Sequence, residues 1–351
     1  MAQETHSDTL TAAALTLKDI ARQAGVSLAT VDRVLHNRPG VRPDTVRRVR
    51  EAIERNSFQP HVAAAELARG RARRFAFVMP SGPNPFMQQI QAYLGEMSAW
   101  LAARRLNVEM IATDVFDPSV LAASLEALSG DYDGVAVVAL DHPGVRAAIN
   151  DLVDAGTKVV TLVSDVPSSR RHHYVGIDNI AAGRTAGALV GRLVGGRAGK
   201  VAIVAGSQGL RDHAERIFGF NQVMASEFPD LSVLPVLEGR DEDERSEQLL
   251  ARLFGRHADI VGLYNVGAGT QGVANALSKA ARETVVFVGH DVTALTRRLL
   301  LQGVMDAAIS QNPGHEARAA VRVLLALARG EPILREQEKI RIDIVMRDNL
   351  P

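Results

Sequence analysis

Seven short apolar runs rich in Val and Ile constrain this chain more than any other feature: Phe75–Met79, Val108–Ala112, Val135–Leu140, Val159–Val163, Val201–Ala205, Ile260–Tyr264 and Val285–Val288. Amphipathic helical stretches fill the gaps, and most spacings are 25 to 40 residues, the length of a βα unit. A strand that is apolar on both faces has to be covered by helices on both sides, which is the condition of a parallel sheet. The pattern predicts a doubly wound α/β body. The roughly 280 residues from Phe75 onward exceed one sheet, so two lobes with a cleft between them are expected. The boundaries read as 73–351 for the body, with lobe one at about 73–176 plus 311–337 and lobe two at about 177–310 plus 338–351. Ligands of such folds sit beyond the carboxyl ends of the strands.

The residues before this body are different in kind. The chain of 351 residues has no net charge, yet residues 16–74 carry 13 Lys and Arg against 6 Asp and Glu. A basic head on an acidic body suggests a polyanionic partner, although a solvated charged face gives the same count. Residues 1–15 are small and polar and read as a disordered tail. Met1–Ala14 holds Glu4 and Asp8 but no Lys or Arg and no apolar run of signal-peptide length, which points to the cytoplasm. No stretch approaches the ~18 apolar residues of a membrane span. The chain has no Cys, which removes disulfides and thiolate metal sites from consideration.

Residues 16–59 read as a small all-α head. Thr16 can cap a helix over Leu17–Ala24, with Asp19 as its capping-box partner and Ile20, Ala21 and Ala24 inward. Gly25 supplies a tight turn. Ser27 then caps a second helix, Leu28–His36, with Val31, Val34 and Leu35 inward and Leu28, Ala29, Asp32 and Arg33 outward. Pro43 opens a third helix with Val46, Val49 and Ile53 inward and Arg47, Arg48 and Arg50 outward. Two short helices joined by a Gly turn, the second exposing its first turn, is a helix-turn-helix.

The stretch from Thr16 to Leu35, TLKDIARQAGVSLATVDRVL, followed by Arg38–Thr45, RPGVRPDT, resembles the head of the LacI (lac and galactose repressor) family over about 50 residues without a gap. The resemblance implies a DNA-binding transcriptional regulator, a homodimer that places one recognition helix per subunit in adjacent major grooves of a near-palindromic operator. Carried over by position, Leu28, Ala29 and Arg33 touch base edges, and Thr16, Ser27, Thr30 and Asn37 serve the phosphates and the frame. Arg33 is physically the best reader, because a guanidinium can bind guanine O6 and N7 together. The family usually has Ser where this chain has Asp32. A carboxylate there repels phosphate, accepts from cytosine N4 or aims the neighbours of Arg33, and the residues leave these open. Residues 60–72 resemble the hinge helix of the family, with Pro60 near its start and Leu67 matching the Leu that wedges into the minor groove. His61 and Ala65 depart from the family there.

The body resembles the sensor of that family and ribose-type periplasmic sugar-binding proteins over about 75–340. The pieces that carry this are Asn84-Pro-Phe-Met87, Ser164-Asp165, Asp178-Asn179, Glu215–Phe220, Asn265, His290-Asp291 and Gln311. The resemblance implies effector contacts from Asn84, Phe86, Asp165, Arg216, Asn265, Asp291 and Gln311, and a sugar or polyol as effector. Asp, Asn, Gln and Arg can each span two hydroxyls, and an aromatic ring covers an apolar sugar face. Asp178-Asn179 reads as a helix cap, and His172 and His173 as surface residues without a third ligand, so no metal and no cofactor is called for. After Arg341–Met346, read as a last strand, no Leu heptad follows, and a dimer is expected in place of a tetramer.

Two other readings stay on the table. Gly267-Ala-Gly-Thr-Gln-Gly272 fits G-x-G-x-x-G after a strand, with Asp291 further on, which is the form of a nicotinamide-dependent oxidoreductase. No catalytic motif accompanies it, and the chain is expected not to be an enzyme. A periplasmic solute-binding protein shares the body, but not the basic head.

Overall fold

The computed structural model describes residues 17–35, 39–55 and 72–351. The chain divides into two compact units between Arg71 and Ala72.

The first unit is a three-helix head: α1 (Leu17–Ala24), α2 (Leu28–Leu35) and α3 (Pro43–Arg55). Ile20, Ala21, Ala24, Val31, Val34, Val49 and Ala52 close its core, with Val46 and Ile53 half-buried at the edge. Ala52 lies deeper than Val46 and Ile53, two of the residues expected to face inward on α3. Gly25 adopts φ 63 between α1 and α2, a conformation that costs glycine little. The Oγ of Ser27 accepts the backbone N–H of Thr30 at 3.2 Å, so Ser27 caps α2.

The second unit holds two sheets. The first has the order β2-β1-β3-β4-β5 and is parallel throughout, from β1 (Arg73–Pro80), β2 (Leu106–Thr113), β3 (Gly134–Val137), β4 (Lys158–Leu162) and β5 (His173–Val175). The second has the order β12-β11-β10-β9-β6-β7, with β8 beside β6, from β6 (Gly199–Ala205), β7 (Leu231–Val233), β8 (Leu237–Glu238), β9 (Ile260–Asn265), β10 (Val286–His290), β11 (Ala307–Ser310) and β12 (Asp343–Val345). Only β12 runs antiparallel to its neighbour there. All seven expected apolar runs are strands. β5, β7, β8 and β11 are short and carry no such run, and β12 is the last strand read at Arg341–Met346. β2 is an edge strand with an exposed side, so Glu109 and Met110 face out where the run suggested burial on both faces.

Helices cover both faces: α4 (Pro85–Glu96), α5 (Ser98–Ala103), α6 (Pro118–Glu126) and α7 (Pro143–Asp154) in lobe one, and α8 (Asn179–Leu193), α9 (Arg211–Glu227), α10 (Asp243–Arg256), α11 (Thr270–Lys279) and α12 (Ala294–Leu301) in lobe two. Then α13 (Pro313–Arg329) packs back on β3, β4 and α4 of lobe one. The chain thus crosses between lobes after β5, after β11 and before β12. Three crossings make a hinge, and the cleft lies between the carboxyl ends of the two sheets, as the strand-end rule requires.

Candidate functional site

Two surfaces carry chemistry, and each belongs to one unit. On the head, α2 turns its first residues outward. Ser27, Leu28, Ala29 and Arg33 are exposed, and Thr30 and Asp32 half-exposed. Leu28 is 45% exposed, an apolar side chain kept in water at the front of a helix. The Ser27 and Thr30 hydroxyls lie 2.9 Å apart and present a paired hydroxyl edge beside it. Thr16, Asn37 and Leu67, with the hinge around Pro60 and His61, lie outside the described residues.

In the body, the cleft is lined by Asn84, Phe86, Arg216, Asp291 and Gln311 of the expected set. Arg216, on α9, is its centre. The side chain is only 2% exposed. Its Nε donates to Asn179 Oδ1 at 2.8 Å, Nη1 to the Val266 carbonyl at 2.9 Å and Nη2 to Gln311 Oε1 at 3.1 Å. The Asp212 carboxylate stands 3.9 Å from Nη2. Gln311, in the second crossing, passes the network on through its Nε2 to Asp291 Oδ2 at 3.3 Å. The cleft floor is thereby wired to the hinge.

Burial raises the Asp291 carboxyl to about 7, against the pull of Arg216 and the Gln311 hydrogen bond. Burial also holds the His290 imidazole well below the usual histidine range, with Arg216 and His213 adding to it. Its Nε2 lies 2.8 Å from the Tyr264 hydroxyl. Asp212 Oδ1 and Asp291 Oδ1 are buried and have no hydrogen-bond partner among the described residues. Buried acceptors without donors are rare in folded proteins, and a ligand or an ordered water that reaches them would satisfy them.

Two expected contacts are placed elsewhere. Asp165 does not line the cleft; both its oxygens bind the Arg171 guanidinium, and it also takes the Thr161 hydroxyl and the Val166 N–H. Val163, two residues earlier and at φ 63, is the residue that reaches the cleft. The left-handed step there turns the next residues away. Asn265 does not line it either; its Nδ2 donates to the Gly267 and Ala268 carbonyls and to the Thr270 hydroxyl, and it shapes the loop behind the wall. His172 and His173 are half-buried; His172 Nδ1 accepts the Val159 N–H at 3.2 Å. Asp178 caps α8 through the Ala181 N–H, as read, whereas Asn179 is buried and positions Arg216.

Sequence reasoning missed Phe116, Asp212, His213 and Asp241 in the lining. Asp212 had a usable signal, one helical turn before Arg216. Asp241 had none, for it sits in a loop whose residues Arg240 and Asp241 both adopt positive φ. This loop spans the cleft: Asn84 Nδ2 donates to Asp241 Oδ2 at 3.0 Å, and Arg240 Nη2 pairs with Asp114 at 3.0 Å. Gln89 Nε2 adds a bond to the Val292 carbonyl at 3.0 Å. The lobes are closed on each other. The cavity between them is about 80 Å³. One water needs about 10–15 Å³ in this measure, so it has room on the order of six waters, or one small solute.

The glycines of Gly267–Gly272 are taken up by packing within the protein. A Cβ at Gly267 would press on the Asp241 carboxylate, and one at Gly272 would strike the Asp243 carbonyl where α10 meets α11. Neither position is held open for a pyrophosphate.

Comparison with known proteins identifies the families of the two units. Residues 75–332 match the model of the periplasmic binding protein domain, and residues 16–61 that of the bacterial regulatory proteins of the lacI family. Among curated relatives, catabolite control protein A of Priestia megaterium is 24% identical over 298 residues, covering 84% of this chain and 79% of that protein. The HTH-type transcriptional regulator DegA of Bacillus subtilis is 23% identical and covers 80% of each. Among solved structures, the glucose-galactose binding protein GanP of Geobacillus stearothermophilus superposes with a TM-score of 0.72 at 23% identity, covering 80% of this chain and 99% of that one. That likeness shows the fold of the body. No helix among the described residues is long and apolar enough to cross a membrane.

Proposed function

The chain belongs to the periplasmic binding protein domain family, with a lacI-family head that makes it a DNA-binding transcriptional regulator, and we propose that it is a repressor released from its operator by a small carbohydrate-like effector. It acts in the cytoplasm as a homodimer, with two α2 helices in adjacent major grooves of a near-palindromic site. Leu28, Ala29 and Arg33 read base edges, and Ser27 and Thr30 hold phosphates. Relatives named as HTH-type transcriptional regulators support this reading over an oxidoreductase.

One observation carries the sensor half: Asp212, Arg216, Asp291 and Gln311 converge in the lining of one cleft, tied together through Arg216 and Gln311. A sugar or polyol supplies O–H groups to the two carboxylates and takes the guanidinium as donor. Phe86 and Phe116 supply apolar contact, and Gln311 reports occupancy to the hinge. Asn84 serves as a clasp between lobes, since its Oδ1 caps α4 and its Nδ2 holds Asp241. The mechanism follows from linkage: an effector that binds the closed lobes better than the open ones shifts the population, and the hinge transmits it to the head.

The test is selection of duplex DNA from a random pool by the intact protein. The expected result is enrichment of a two-fold symmetric site. Recovery of no sequence above background would contradict the reading of α2.

A further inference from the structure

The two walls of the cleft differ in kind. Lobe two offers Asp212, Arg216, Asp241, Asp291 and, from the crossing, Gln311. Lobe one offers Pro80, Phe86, Val115, Phe116, Val138 and Val163. The polar side chain that lobe one adds to the lining is Asn84, and both ends of its amide are engaged within the protein. The polar residues following Val163 turn elsewhere: Ser164 Oγ accepts the Arg211 N–H at 3.1 Å, and Asp165 holds Arg171. A ligand hydroxyl set against these apolar side chains would lose its water and gain no hydrogen bond from them, which is unfavourable.

Val163 adds an independent sign. It is buried, it faces the cleft, and it holds φ 63. A β-branched residue seldom adopts that conformation, whereas Asn or Asp does so at less cost. Its backbone is pinned on both sides, by its N–H to the Val175 carbonyl at 2.9 Å and by the Tyr174 hydroxyl donating to its carbonyl at 2.9 Å. A strained residue kept at a ligand site, where a polar one would fit the backbone better, points to use of its apolar side chain.

We propose that the effector is amphiphilic, a deoxy-sugar-like ring with its hydroxyl edge on Asp212, Arg216 and Asp291 and a methyl or methylene edge on Val163, and that Val163 sets this preference. The proposal rests on the reading of the cleft as a carbohydrate-effector site. The cavity of about 80 Å³ favours a small ligand.

The experiment is calorimetric titration of the intact protein with matched pairs: L-fucose and L-galactose, L-rhamnose and L-mannose, 6-deoxy-D-glucose and D-glucose. In each pair that binds, the deoxy member is expected to bind about 10- to 100-fold tighter, the discrimination an apolar wall achieves against an added hydroxyl. Val163→Asp is expected to reduce or reverse that ratio. Val163→Thr, which keeps the shape, is expected to lower it if the Asp variant does not fold. A hexose binding as tightly as its deoxy partner, or a ratio unchanged by the folded variants, overturns the proposal and leaves the carbohydrate reading intact. Binding by none of the six sugars overturns the carbohydrate reading and the proposal with it.

Discussion

Arg216→Met is expected to destabilise the full chain by about 3–5 kcal/mol and to abolish its response to effector, while the head keeps its affinity for operator below the melting temperature of the variant. The magnitude follows from what the guanidinium satisfies. Its three hydrogen bonds go to Asn179, the Val266 carbonyl and Gln311, and it stands beside Asp212. Methionine fills much of the same volume but leaves Asp212 and Asp291 buried with no cation. The sign with pH is also set. With Arg216 present the Asp291 carboxyl is at about 7, raised by burial and held down by Arg216. Without the cation it rises further, so the native variant holds a proton that the unfolded chain gives up. A carboxyl raised in the native state contributes stability that is lost as pH rises through the folded value. The deficit is therefore expected to be largest above about pH 7 and to shrink toward about pH 5. Urea denaturation at both pH values checks it. A variant as stable as the parent at both would show that the Arg216 network does not stabilise the body.

The second large effect is on the head. Arg33→Ala is expected to lose about 1–3 kcal/mol of preference for the operator over scrambled duplex, while affinity for scrambled duplex changes little. Arg33 is exposed on the outward face of α2, beside Leu28 and Ala29, where truncation disturbs no core. Competition binding at one fixed salt concentration separates base reading from phosphate attraction, which is salt-dependent. Equal loss on both duplexes would move Arg33 to the phosphate class.

The strands and the head were legible because they rest on periodicity. Val and Ile runs at βα spacing have few other ways to be buried, and Ile20, Val31 and Val49 fall on inward faces by helical count alone. The cleft was less legible, since a residue at a strand end can face the ligand or the neighbouring strand, and one backbone step decides. At Val163 a left-handed φ made that choice, sending Asp165 to Arg171 and leaving a hydrophobic residue in the cleft. Asn179 read as part of a helix cap because that chemistry is local, whereas its bond to Arg216 spans 37 residues. The Asp241 clasp is likewise a product of tertiary packing, joining a loop of lobe two to Asn84 across 157 residues.

The central claim is that cleft and head are coupled, and coupling between binding sites has to be reciprocal. The direct measurement is operator affinity with and without the tightest-binding sugar, alongside affinity for that sugar with and without operator, on the same intact protein. The account predicts that both affinities weaken by one common factor, about 5- to 150-fold. A sugar that binds the cleft and leaves operator affinity unchanged would contradict it.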